Sequence, residues 1–102
     1  MDENTESPEE PTPYLLFDMG EVLATPGAYR FMIDYHIDDT VLLLRHASGD
    51  WGDIPEEAKA ANDRALKSRG RIVSGYTFEA GVVWIITKAD RTFTTIMLSK
   101  GY

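Results

Sequence analysis

Val82-Val83-Trp84-Ile85-Ile86-Thr87 is the most continuously apolar run in the chain. A short run rich in β-branched and aromatic residues, bounded by turn signals, is the pattern of a strand covered on both faces or nearly so. Glu79-Ala80-Gly81 before it and Lys88-Ala89-Asp90-Arg91 after it are connections of hairpin length. Beyond those turns the apolar period stays at two. Ile72, Ser74, Tyr76 and Phe78 alternate upstream, and Phe93, Thr95 and Met97 downstream. The three runs predict an antiparallel meander with residues 82–87 at its centre. Gly75 lies inside the first strand, where a glycine marks the place at which a large ring, here Trp84, crosses the backbone.

Upstream of the meander the period becomes helical. Thr25-Pro26-Gly27-Ala28 sets a capping residue before a proline at the first helical position. Ala28, Phe31, Met32 and Tyr35 then recur at i, i+3, i+4 and i+7. A second helix is expected to start at Asp38 or Asp39 and to stop at Ser48-Gly49. A third begins with the capping box Asp53-Ile54-Pro55-Glu56, turns Ala58, Ala61, Ala65 and Leu66 inward, and ends at Gly70. The expected class is therefore α+β: two to three N-terminal helices packed on a C-terminal three-stranded antiparallel meander. The short apolar runs at 14–17 and 20–24 leave room for an extra N-terminal strand.

The first thirteen residues hold five carboxylates and three prolines, with no apolar side chain after Met1. Such a segment cannot bury enough surface to offset the entropy of ordering, so 1–13 read as a disordered acidic tail and 14–102 as a single domain. The tail also explains most of the formal charge of −7, since the remainder carries 12 acids against 10 bases. That near-neutral balance fits neither a DNA mimic nor a basic stripe tracking phosphates. Absence of cysteine rules out disulfides and thiolate metal sites. No apolar run reaches membrane-spanning length, and the acidic N-terminus is no signal peptide. The expected setting is the cytoplasm, with no membrane, no cofactor and no metal.

His46, Asp50, Trp51 and Asp53 make the densest polar stretch. An imidazole and two carboxylates about an indole could do acid–base or binding chemistry. The same residues also serve structure: His46 at a helix C-terminus, Asp53 as a cap, Trp51 as a plug between helices. Asn62 falls on the inner side of the third helix, where its amide must find partners, either in the Asp50–Asp53 loop, on a strand or on a ligand. Asp90 and Arg91 stand in the second hairpin turn. The candidate binding residues are His46, Asp50, Trp51, Asn62, Asp90 and Arg91. No phosphate loop, nucleophile elbow or dinucleotide fingerprint is present.

The segments Ala24-Thr25-Pro26-Gly27-Ala28, Gly49-Asp50-Trp51-Gly52-Asp53, Ala61-Asn62-Asp63-Arg64-Ala65-Leu66 and Trp84-Ile85-Ile86-Thr87-Lys88-Ala89-Asp90-Arg91 together resemble a set of short bacterial proteins of plasmids and integrative elements. Lys88 stands where that set would have an acid, and Ser99-Lys100 replaces a Pro-acid ending. The resemblance implies a mobile-element setting and brings no activity with it. Small size, the lack of a catalytic set and exposed edge strands point to a non-enzymatic module that binds another protein, with nucleic acid not expected. The alternative is a metal-independent ribonuclease, similar in shape alone to the barnase and RelE type, with His46, Arg71, Arg91 and Thr95 as its catalytic residues.

Overall fold

A computed structural model describes residues 15–99, so the acidic tail at 1–13 lies outside the described residues. The elements run β1 (Glu21–Ala24), α1 (Pro26–Asp34), α2 (Asp39–Ala47), α3 (Glu56–Ser68), β2 (Ile72–Phe78), β3 (Gly81–Thr87) and β4 (Phe93–Ser99). The class is α+β. The sheet, however, has four strands in the order β1-β4-β3-β2, and it is mixed. β2, β3 and β4 form the antiparallel meander with β3 inside it. β1 lies parallel to β4, Glu21 opposite Phe93 and Ala24 opposite Ile96. Residues 15–17 of the first apolar run form no strand, and Tyr14 lies outside the described residues.

Local chemistry explains the helix boundaries. Thr25 Oγ1 accepts from the Ala28 amide and Asp38 Oδ1 from that of Thr40, so both first helices start where side-chain caps stand. The third helix departs from expectation at both ends. Pro55, which has no capping side chain, precedes Glu56, while the Asp53 carboxylate accepts from the Thr77 amide at 3.0 Å instead. At its C-terminus the left-handed residue is Arg69 (φ 67), one before Gly70. The Arg91 guanidinium satisfies the carbonyls there, donating to Ala65 O at 3.1 Å and Gly70 O at 2.7 Å. Ala61 is exposed rather than inward; Asn62 and Ala65 are buried.

The sheet has two unlike faces. On one, Tyr76, Val83, Ile85 and Ile96 pack against Ala28, Phe31 and Met32 of α1 and Leu42 of α2. A second cluster of Trp51, Ile54, Ala65 and Ile72 wraps the β2 margin, joined by Phe17, Leu66 and Trp84. Gly75 pairs with Trp84 across β2 and β3, as the glycine in the first strand predicts.

One expectation of open edges is overturned. Every outward backbone donor of β2 at Val73, Gly75 and Thr77 is engaged. The Asn62 side chain donates to Val73 O at 2.8 Å and accepts from Val73 N at 3.1 Å. Gly75 N donates to Trp51 O, and Gly75 O accepts from Asp53 N. These partners close the edge against strand addition. Among the described residues only β1 leaves an outer edge open, and it is four residues long. Asn62→Ala would strand two backbone groups of a half-buried strand residue, at a cost of about 2 kcal/mol. Urea unfolding should show that loss, and amide exchange at Val73 should lose its protection. Unchanged exchange there would mean that the clamp contributes nothing.

Candidate functional site

The candidate residues do not converge on one cleft. His46 and Ser74 are 0% exposed, and His46 sits in a buried chain of hydrogen bonds whose direction can be worked out. Met19 O can only accept, so Thr94 Oγ1 donates to it at 2.6 Å. With its one proton engaged, Thr94 accepts from Thr87 Oγ1 at 2.7 Å. Thr87 in turn accepts from His46 Nε2–H at 2.9 Å. That leaves Nδ1 bare, to accept from Ser74 Oγ–H at 2.6 Å. The imidazole is thus neutral, with its proton on Nε2. Burial drives its pKa down to about 4. A serine hydroxyl on a histidine nitrogen is the contact of an activated nucleophile, but no substrate reaches two fully buried side chains. The chain fastens α2 to β2, β3, β4 and the segment before β1.

Asp50 lies at the surface, held by Arg45 Nε at 2.7 Å. Arg45 also lies over the Tyr76 ring, 4.5 Å from its centroid. The hydrogen bond from Arg45, ahead of all other causes, holds the Asp50 carboxyl below the usual range. The Tyr76 hydroxyl donates to Asp50 O at 2.7 Å, and burial pushes its pKa up to about 12. Trp51 is buried between α2 and α3, its Nε1–H on Asp63 Oδ1 at 3.2 Å and its ring edge-on to His46. Asp90 closes a turn by accepting from the Thr92 amide and hydroxyl. Arg91 donates to four carbonyls. Thr95 points away from His46: its neighbour Thr94 carries the buried chain, so Thr95 belongs to the opposite face. His46 is thus buried, Thr95 lies on the other face, and the Arg91 guanidinium is engaged by carbonyls, one of them that of Gly70 beside Arg71. Among the described residues no group of three or more His, Asp or Glu is placed to hold a metal ion, and no helix is long and apolar enough to cross a membrane.

What sequence reasoning missed lies on that opposite face. The register writes it as rows: Leu23, Thr95, Ile86 and Val73; then Met97, Trp84 and Gly75; then Ser99, Val82 and Thr77. Val73, Val82, Trp84, Ile86 and Thr95 on it are half-buried, and Trp84 packs against the cluster that Ala65 of α3 joins. Ile54 overhangs the β2 margin near Gly75 and Trp84, but toward β4 and β1 the face opens. Leu23 is 44% exposed, Met97 39% and Phe93 36%. No family model, curated protein or solved structure matches this chain. The functional reading therefore rests on geometry. A solvated face of an antiparallel sheet normally alternates to polar residues; this one carries Val82, Trp84 and Ile86 along the whole of β3, with Leu23, Val73, Phe93 and Met97 on its neighbours beside Thr77, Thr95 and Ser99. The signal was in the sequence: a central strand apolar at every position needs cover on both sides, and α1 and α2 supply one.

A second apolar surface lies at the far end of the sheet. A cleft of about 680 Å³ is lined by Tyr35, Ile37, Val41, Leu42 and Phe78, with Arg45 at its rim. His36, in its lining, holds a left-handed backbone at φ 56. Tyr35, His36, Asp38, Arg45 and Glu79 are the polar residues of that lining; Asp38 Oδ1 is held by the Thr40 amide and Arg45 by Asp50.

Proposed function

We propose that this chain is a non-enzymatic protein-binding module that acts in the cytoplasm, an accessory protein of a plasmid or integrative element, and that it docks its partner on the partly covered sheet face. The observation that carries the reading is the row Leu23–Thr95–Ile86–Val73 beside Met97 and Trp84. It is a contiguous apolar surface on a rigid sheet, where isolated exposed apolar side chains would need no explanation. The engagement of His46, Asn62 and Arg91 in intrachain bonds agrees with it, because such residues hold a scaffold and leave no group free for acid–base work. The mobile-element setting rests on the motif resemblance alone.

The test compares wild type with Met97→Asp as immobilised baits in host lysate. A charge at this exposed position should leave the fold intact, as circular dichroism would verify, and should abolish retention of the specific partner. Leu23→Asp should do the same from a different strand. Identical retained proteins for all three baits, together with one and the same mass in solution for all three chains, would end the proposal.

A further inference from the structure

The partly covered face is complementary to itself, and we infer that a second copy of this chain occupies it, the two sheets stacking face to face as a two-layer sandwich. This inference rests on the docking reading above and names its partner. Four strands spaced about 4.8 Å apart and about 3.4 Å of rise per residue give a patch roughly 20 Å on a side. Burying it on two copies removes about 800 Å² from water, the size of a small, weak interface, so the pairing depends on concentration. Its centre holds Trp84 and Met97, paired across β3 and β4, and these are residue types that concentrate binding energy when desolvated.

Charge supplies the second argument. The apolar rows contain no ionisable side chain, while both ends of the face do. Glu21, Phe93 and Lys88 stand at one end, with Lys88 Nζ 5.8 Å from the Phe93 ring centroid, and Arg71 precedes β2 at that same end. Glu79 stands at the other end, in the β2–β3 turn. A two-fold axis across the strands lays β2 over β2 in the reverse direction and brings Arg71 opposite Glu79 of the second copy. A two-fold axis along the strands lays β1 over β2 and brings Glu21 opposite Arg71. In both isologous arrangements cation faces carboxylate, so like charges do not oppose closure. A foreign partner would have to supply this complementarity; the chain already carries it.

Sedimentation equilibrium of the full chain at about 50 µM decides the matter. Wild type should sediment at twice the 11.5 kDa chain mass. Met97→Asp and Leu23→Asp, both at exposed positions and with unchanged circular dichroism, should sediment at the chain mass. Trp84 emission should shift to the red in both, while Trp51 stays buried. A monomeric wild type overturns the second-copy inference. The docking proposal survives that result if wild type alone, and neither variant, retains a host partner in lysate, and it falls as well if no bait discriminates. A dimer that both variants keep also overturns the inference, because the contact then lies elsewhere, such as the open β1 edge.

Discussion

Gly75→Val should cost this domain about 3 kcal/mol. A Cβ at position 75 would lie 2.7 Å from Trp84 Cζ3, 3.0 Å from Cε3 and 3.2 Å from Ile54 Cγ2. The two ring atoms belong to a rigid indole that cannot yield by turning a terminal bond. Moving the indole would break its packing on Ile54. Shifting β2 would disturb the Gly75 amide and carbonyl, which hold Trp51 O at 3.1 Å and Asp53 N at 2.7 Å. Gly52 closes the other escape: it runs at φ 82, and a Cβ there would collide with Gly75 O, so the two backbones touch. Small domains hold about 5–15 kcal/mol in total, and each kilocalorie lost lowers the midpoint by roughly 4–8 °C. Thermal and urea unfolding would measure the change. A double-mutant cycle gives the sharper reading: in a Trp84→Ala background the penalty of Gly75→Val should largely disappear. A penalty that persists there would place the clash on the backbone rather than on the indole.

That contact was legible in the sequence because strand chemistry is local. A glycine inside an alternating run, one hairpin away from a tryptophan, has few other meanings. The helix starts at Thr25 and Asp38 were legible for the same reason, since a cap and its amide lie within three residues. β1 was harder. Its pairing with β4 joins residues more than seventy positions apart, and four residues carry too little periodicity to announce it. The Asp53–Glu56 box failed because Asp53 had a better partner, the Thr77 amide, that only the fold brings near.

The candidate site divides the same way. The polar residue types at His46, Asn62 and Arg91 were visible, but their partners were not. Ser74, Thr87 and Thr94 read as ordinary strand residues, and only the pleat and register place their hydroxyls in line with the imidazole. Strand alternation showed two sets of side chains on β3 and β4 without showing which set the helices cover. Val83, Ile85, Thr94 and Ile96 are the covered ones; Val82, Trp84, Ile86, Thr95 and Met97 are left over. The partly covered face is a property of the packing, and the sequence carried only its trace in the uninterrupted apolarity of the central strand.

Stability should fall steeply as the solution is acidified through the range in which an ordinary histidine gains its proton, and His46 should be the cause. In the unfolded chain its imidazole titrates near 6.5; in the fold, burial holds the value at about 4. Between those two values the unfolded state binds more protons than the native state, so stability rises with pH across the window and is lost as pH falls. A separation of this size corresponds to about 2.5 kcal/mol between pH 7 and pH 4.5. Its physical origin is plain in the contacts. The two nitrogens meet only the Ser74 and Thr87 hydroxyls, and the flanking rings are Phe17 and Trp51. No carboxylate is in hydrogen-bonding reach to compensate an imidazolium. A second N–H at Nδ1 would also force the Ser74 proton to turn away, breaking the one-way order of donors that ends on Met19 O. Urea midpoints measured from pH 7 down to pH 4.5 should trace this loss in wild type. His46→Gln, less stable at neutral pH because its partners are left short, should be nearly flat over the same window, and the difference between the two curves isolates this side chain from the exposed His36. Proton resonances of the ring provide the direct check, with the native signal unmoved until close to pH 4. A His46 that titrates near 6.5, or a His46→Gln protein with the wild-type slope, would show that the buried chain is not what couples this fold to pH.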